Sequence, residues 1–495
     1  VSRGARPRRR AVTTLLALGL VGPAGVPAAA APATQAVSVG LGVETLRLPG
    51  HERLGLVGGS LLFDLGQGLW AGPVTYGAAT GQRGGFFVGG VELQRRWALG
   101  EGLTLAAGLS LGGGGGAAAP VGNGLMLRPA AALLQDIGPL QAGLTLSSVR
   151  FPGTAIRSQQ AGLLLAWHGR FDHWPLARLG ERVAADQRSG LGFDSFAVTT
   201  AQHQAGRAAT GPQRFQLVGA RLAQRRDAQG SDWGLEAAAA AQGSAAGYME
   251  ILLHASQAWA VTEGLSLGLR GAVGLGGGGG VPTGGGALQR LDGTLSLVLQ
   301  PGWRVGAAWG RTHGATPSLH ARRAELWLAA DLEPAALPGT PGRTGTVRRH
   351  TWGGALLHIA PTLRGDGSRR AVDALGLVLE RAVSEHAYVT GQTYSAFGGG
   401  AGGYSIGLIG GGWASRATPA GWLAGAELLA GGAGGGGVRG SSGALLMAQA
   451  WAGRHLGSPD QQLRLGVGAL ASSAGGPARP AATLSWTAAF GQPGP

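Results

Sequence analysis

The chain has 495 residues, of which 97 are Gly, 13% are charged and 44% are hydrophobic, with a formal net charge of +15. That charge is too sparse to cover ordinary soluble domains, where about 25% is usual, and the apolar content is too high for a disordered chain. The basic excess is all Arg, scattered with no basic helix and no aromatic interleaving, so nucleic acid is not an expected partner; the absence of Cys excludes disulfides and thiolate metal sites and suits an oxidising compartment.

Residues 1–31 read as a signal peptide. Arg3, Arg6, Arg8, Arg9 and Arg10 supply the charged start, residues 11–21 the apolar core, and Ala29-Ala30-Ala31 a small-residue cleavage site. No later segment holds the ~20 apolar residues of a membrane-crossing helix. The mature chain therefore spans a membrane as a barrel or not at all.

Three glycine runs follow, at residues 112–116, 276–280 and 434–437, within a unit of about 160 residues. Phe86, Tyr248 and Tyr404 precede them at equivalent places. Trp97, Trp259 and Trp413 lie between those aromatics and the runs. Two further apolar segments come after each run in constant order. The first repeat covers residues 37–170, the second 191–331 and the third 352–490. Polar connectors occupy residues 171–190 and 332–351; the first could hold a short helix from Trp174 to Asp186, and the second reads as loop.

Within each repeat the hydrophobic period is two, which is the pattern of strands. Leu103, Leu105, Ala107, Leu109 and Leu111 share one face, and Thr104, Ala106, Gly108 and Ser110 take the other. Leu463, Leu465, Val467 and Ala469 likewise oppose Arg464, Gly466 and Gly468. Glycine this dense would be costly in helices. The first repeat divides into eight such segments, each near the length that a tilted strand needs to cross a bilayer. The glycine runs then fall after a fifth strand and read as flexible outer loops.

The chain resembles bacterial outer-membrane β-barrel proteins as a class. The resemblance rests on the leader, the alternating strands, and a last apolar strand with Phe490 near its end, although Gly491 to Pro495 follow it. It implies an all-β fold: an antiparallel transmembrane barrel in a Gram-negative outer membrane, with lipid as the main partner. Three repeats of eight strands permit one barrel of about 24 strands, the favoured reading, or three eight-stranded barrels.

Charged residues on the polar faces are the candidate lumen-facing groups: Glu92, Arg96, Arg270, Arg304, Arg323, Glu325 and Arg464. Charge facing lipid near the midplane costs ~2–4 kcal/mol, so these should point inward. An unpaired Arg excess there would favour anions; paired, the same residues are structural bridges. Trp70, Trp97, Trp259, Trp303, Trp309 and Trp413 fit either an interfacial girdle or core packing. His254 and Ser256 share a strand face without a visible acidic orienter, and the other histidines lack metal-ligand spacing. No catalytic residue, metal or cofactor is expected. The leading functional expectation is a channel or export conduit, passive or gated, for a solute or exported polymer. A structural or adhesive barrel binding a partner through outer loops is the alternative, and an outer-membrane hydrolase comes third.

Overall fold

A computed structural model describes residues 32–185, 188–208, 211–315, 319–334, 337, 343–439, 442–473 and 475–495. The leader expected at residues 1–31 lies outside the described residues.

The described chain is antiparallel β throughout, with two single-turn 3-10 helices. The first barrel is β1 (Ala33–Arg47), β2 (Arg53–Asp64), β3 (Leu69–Thr80), β4 (Phe87–Gly100), β5 (Leu103–Gly115), β6 (Leu125–Ile137), β7 (Leu140–Arg150) and β8 (Arg157–His173). A short strand β9 (Arg182–Ala184) lies in the first connector. The second barrel is β10 (Ser195–Ala208), β11 (Gly211–Arg225), β12 (Asp232–Gly243), β13 (Met249–Thr262), β14 (Leu265–Gly277), β15 (Ala287–Gln300), β16 (Trp303–Gly314) and β17 (His320–Asp331). The third is β18 (Thr344–Leu363), β19 (Arg369–Ala382), β20 (Ala387–Ala396), β21 (Ser405–Ala414), β22 (Trp422–Gly434), β23 (Gly443–Leu456), β24 (Ser458–Ser472) and β25 (Arg479–Gly494).

Each group of eight closes on itself. Strand β1 pairs with β8, β10 with β17 and β18 with β25. This corrects the favoured expectation of one cylinder of about 24 strands and matches the three-barrel alternative. Closure follows from long pairings within a unit, such as Val43 beside Leu163, rather than from pairing across units. The helix expected from Trp174 is also absent among the described residues. A single 3-10 turn forms at Leu176–Arg178, after Pro175, and Arg182–Ala184 then pairs with Thr344–Thr346 of β18.

Alternation sorts the side chains. On β1, Val39, Leu41 and Val43 are exposed, while Ser38, Gly40 and Glu44 line the interior. Both chain connections of each barrel lie at one end, called here the connector end, with tight turns such as Glu101-Gly102. The opposite, glycine end carries the longer turns. There each interior holds its own apolar cluster: Leu46, Leu54, Tyr76, Phe86 and Met126 in the first barrel; Phe215, Tyr248, Leu252 and Leu288 in the second; Leu357, Ile359, Tyr404 and Met447 in the third.

The glycine runs are strand ends that continue into turns rather than free loops, and only their last residues in the second and third barrels, Gly280 and Gly437, are exposed. Gly112 to Gly115 belong to β5 and are buried. The three barrels use these runs to meet. Gly85, in the turn after β3, abuts Gly277 and Gly278 of the second barrel. Gly247 abuts Gly434 and Gly435 of the third, and Gly403 abuts Gly115 and Gly116 of the first. One turn-to-run contact, used three times head to tail, closes into a ring. The backbones approach so closely that a Cβ on Gly85 would overlap the main chain of Gly277 and Gly278, and one on Gly277 that of Gly84 and Gly85; Gly85 also has φ +92°. Hydrogen bonds from Gly84 N to Gly284 O (2.7 Å) and from Gly403 N to Gly114 O (3.0 Å) cross two of these contacts. At the connector end, Phe63 packs on Trp352 and Phe171 on Phe490, joining the first and third barrels.

Candidate functional site: the barrel lumens

An eight-stranded barrel leaves an interior just wide enough for side chains. What fills that space decides what the barrel can pass.

In the first barrel, Arg128 donates from Nε and Nη2 to the two oxygens of Glu44 (2.9 and 2.8 Å), and Ser147 Oγ adds a third bond to that carboxylate (2.8 Å). The pair bridges β6 and β1 across the interior. Toward the connector end, Ser110 Oγ donates to Glu92 (3.1 Å). Arg96 donates to Gln94 (2.5 Å) and to Ser38 (3.1 Å), and its guanidinium covers the Trp70 ring at 4.3 Å. The space left is about 60 Å³, bordered by Gly40, Gly42, Gly58 and Ser60 among others.

The second lumen is an ionic lattice. Arg270 bonds Asp292 (2.8 Å) and Glu325 (2.9 Å). Arg323 bonds Asp292 (3.0 Å) and also Glu325, and Arg221 reaches Glu325 at 3.2 Å. Arg290 ties Glu236 (2.6 Å) to Glu250. Four arginines (221, 270, 290, 323) thus meet four carboxylates (236, 250, 292, 325), and the lattice is neutral. Arg304 stands apart toward the connector end, where its Nη2 donates to Ser195 Oγ (3.1 Å). Only about 40 Å³ remains beside it.

In the third lumen Arg464 pairs with Glu380 (2.9 Å), donates to Gln462 (3.0 Å) and lies 4.4 Å over Trp451. Glu427 has no arginine partner among the described residues. It accepts from Tyr388 Oη (2.7 Å), Gln392 Nε2 (2.8 Å) and Gln449 Nε2 (2.5 Å).

All seven sequence-selected residues border barrel interiors, but they belong to three separate lumens. Glu92 and Arg96 share the first, Arg270, Arg304, Arg323 and Glu325 the second, and Arg464 lies in the third. Sequence reasoning missed Glu44, Arg128, Arg221, Glu236, Glu250, Arg290, Asp292, Glu380 and Glu427. The available signal was strand parity: Glu44 continues the Ser38, Gly40, Gly42 face. Partner identity was not available, because Glu44 and Arg128 are 84 residues apart.

His254 and Ser256 acquire the acidic neighbour that the sequence did not reveal. Ser256 Oγ donates to Asp232 Oδ1 (2.7 Å), and His254 Nε2 lies 3.3 Å from the same oxygen. Serine and histidine thus share a carboxylate and do not bond each other, so the base has no contact with the nucleophile. Among the described residues, no group of three or more His, Asp or Glu is placed to hold a metal ion.

The outer faces carry exposed Leu and Val, with tryptophans gathered near the connector end. Trp97, Trp259, Trp303, Trp413 and Trp422 are all exposed there, whereas Trp309 is exposed further along β16 and Trp70 is buried in the first lumen.

No protein-family model matches the chain, and no curated protein sequence matches it. Solved structures that align with it include OccK3 (OpdO) of Pseudomonas aeruginosa, 10% identical, covering 92% of this chain and 96% of that one, with a TM-score of 0.22. The ferric enterobactin receptor PfeA of P. aeruginosa, in complex with enterobactin, is 11% identical, covers 92% and 81%, and has a TM-score of 0.29. The siderophore receptor PirA of Acinetobacter baumannii is 10% identical, covers 92% and 80%, and has a TM-score of 0.28. Overlap this loose fixes neither fold nor function.

Proposed function

We propose that the protein is an integral outer-membrane protein whose three barrels act as a membrane-embedded scaffold, presenting the glycine-end turns to a partner. Support for the membrane comes from the faces. Exposed Leu144, Leu146, Leu163, Leu428 and Val467 belong to apolar strand sides, and exposed tryptophans gather near one end as an interfacial girdle does. Short turns and both chain connections at the connector end suit the periplasmic side. Export would use the leader read at residues 1–31, and N-terminal sequencing of the membrane-extracted protein should begin after it.

The observation that carries the scaffold reading is the filling of every lumen. Apolar clusters close the glycine ends, and hydrogen-bonded charges occupy the middles. In planar bilayers the purified protein should add no stepwise conductance. Discrete steps above the empty-bilayer baseline would overturn the scaffold reading and restore the channel.

The conduit reading retains one favourable observation, the residual polar space of the first barrel. It carries its own test. If steps are seen, replacing Arg270, Arg304 and Arg464 with Ser should lower anion over cation preference; unchanged selectivity would remove those residues from any permeation path.

A further inference from the structure

Most of the arginines that fill the lumens are matched to carboxylates, and Arg96 and Arg304 bond neutral side chains instead. A second set, on the outside, is not so matched. On the first barrel Arg47 sits directly opposite Arg53 across β1 and β2, and Arg150 sits directly opposite Arg157 across β7 and β8. Strand β8 is hydrogen-bonded to β1, and Arg47 N donates to Ser158 Oγ beside Arg157 (3.0 Å). The four residues therefore form one row over four consecutive strands at the glycine end. All four are exposed, and none has an ion-pair partner among the described residues. Like charges placed directly opposite on a sheet repel each other. Nearby Arg83, by contrast, is matched to Glu52 at 2.7 Å.

The second barrel repeats the arrangement on the corresponding strands. Arg311 is opposite Arg322 across β16 and β17, and Gln204 of β10 lies between Arg322 and Arg214 of β11. Arg214, Arg311 and Arg322 are exposed and also lack an ion-pair partner among the described residues. One step further out, His313 and His320 face each other, with their Nδ1 atoms 2.8 Å apart. The corresponding rim of the third barrel differs: Leu363 faces Arg369 there, and Asp366 and Asp373 lie close by.

The rows continue the apolar outer faces. Arg47 shares its strand side with Val43, Leu41 and Val39, and Arg150 shares its side with Leu146 and Leu144, all exposed. A guanidinium row just beyond such a belt stands at headgroup depth. Guanidinium pairs match the oxygen geometry of phosphate, and a multiply charged oxyanion between opposed arginines turns repulsion into charge-assisted hydrogen bonds.

We propose that these two rows are sites for the phosphate headgroups of anionic lipid in the leaflet that meets the glycine end, one site on the first barrel and one on the second. The inference rests on the reading that the Leu and Val faces meet lipid. It adds which lipid chemistry is held and where.

The test uses the full mature chain in a neutral detergent, titrated with phosphatidate, phosphatidylcholine or inorganic phosphate. Native mass spectrometry reads bound lipid, and the thermal midpoint reads stabilisation. Phosphatidate should bind and raise the midpoint, whereas phosphatidylcholine and free phosphate should not; equal effects of phosphatidate and phosphatidylcholine overturn the proposal. Replacing Arg47, Arg53, Arg150 and Arg157 with Ser should weaken binding at one site about tenfold. In detergent without phosphatidate the same variant should melt no lower than the parent, because a repulsion has been removed. A variant that holds phosphatidate as tightly as the parent overturns the first-barrel site. The variant Arg214→Ser/Arg311→Ser/Arg322→Ser tests the second barrel independently, and heat-modifiable mobility confirms that each variant has folded. The underlying reading fails separately: a parent that stays monodisperse without detergent refutes the membrane, whereas one that inserts into phosphatidylcholine bilayers without preferring phosphatidate refutes only the headgroup sites.

Discussion

The second and third barrels both enclose carboxylates within a β-wall, yet Glu325 of the second and Glu427 of the third are held differently. In the second, Glu325 accepts from Arg221, Arg270 and Arg323, and each of those arginines belongs to a lattice spanning several strands. In the third, Glu427 is held by a phenol and two amides. The lattice depends on every member, because removing one charge leaves buried charge unbalanced. The amide cradle has no such dependence, since its donors are neutral. The difference teaches that charge in these lumens can be a scaffold of mutual constraint or a local polar filling, and that only the former should fail as a unit.

The largest expected effect follows directly. Glu325→Ala leaves Arg270 and Arg323 to share Asp292 alone and Arg221 with only Glu236 at 4.0 Å; the lumen is left with unbalanced buried charge, and breaking a buried ion pair from one side costs about 3–5 kcal/mol. The second barrel should lose that much in urea unfolding followed in detergent. A loss below about 1 kcal/mol, the range of exposed pairs, would show that water enters this lumen and that the lattice is not buried in the working state.

A third carboxylate environment sharpens the contrast from outside the barrels. Glu333, in the second connector, is buried. Its oxygens accept from the Ser189 backbone N–H (3.2 and 3.1 Å) and from Ser189 Oγ (2.6 Å). Burial pushes its pKa up from 4.5 to about 7; the Ser189 bonds lower it, Asp194 raises it further and Arg188 lowers it. The folded state therefore holds a proton that the unfolded chain gives up at lower pH. Below about pH 4.5 both states are protonated and Glu333 carries no penalty. As pH rises from there toward about 7, stability falls, and above that the whole loss, roughly 3 kcal/mol, is present. Glu333→Gln should remove this slope. Parent and variant compared in urea at about pH 5 and about pH 8 should diverge only in the parent's extra loss at the higher pH. Parallel behaviour would mean that the connector opens to water.

How much of this was legible in the sequence divides along physical lines. Strand existence and facing were readable, because Val39, Leu41 and Val43 alternate with Ser38, Gly40 and Gly42, and period two is a local property. The number of barrels was not, since the same alternation serves eight strands or three times eight. Only the long-range pairing of β1 with β8 decides it. The glycine runs were visible, but read wholly as loops when each begins as a buried strand end. Composition alone shows freedom of backbone, and the reason for glycine at Gly277 is the approach of Gly84 and Gly85 from another barrel. Of the lumen, parity found Arg270, Arg323 and Glu325, but not that Asp292 and Arg221 join them, because partners on separate strands leave no local trace. The opposed arginines of the outer rows were likewise present in the sequence and became pairs only when register was known.

The smallest effect tests the other side of the opening comparison. Glu427→Gln removes a charge without removing volume. The remaining carbonyl oxygen still accepts from Tyr388 Oη, and the new amide nitrogen meets the side chains of Gln392 and Gln449, either of which can turn its own carbonyl inward. The cradle therefore rearranges by amide flips, with no stranded ion. A flip of Gln392 would disturb the bond that Tyr394 Oη donates to its Oε1 at 2.9 Å, and a flip of Gln449 the bond that Thr483 Oγ1 donates to its Oε1 at 3.0 Å. A cost of about 1 kcal/mol is expected, the size of one ordinary hydrogen bond. A loss in the range expected for Glu325→Ala would mean that the charge of Glu427 is itself balanced, through Tyr388 and Trp451 toward Arg464, and that the third lumen is a lattice as well. The two substitutions must therefore be read together, because their ratio, rather than either value, separates an interlocked lumen from a merely filled one.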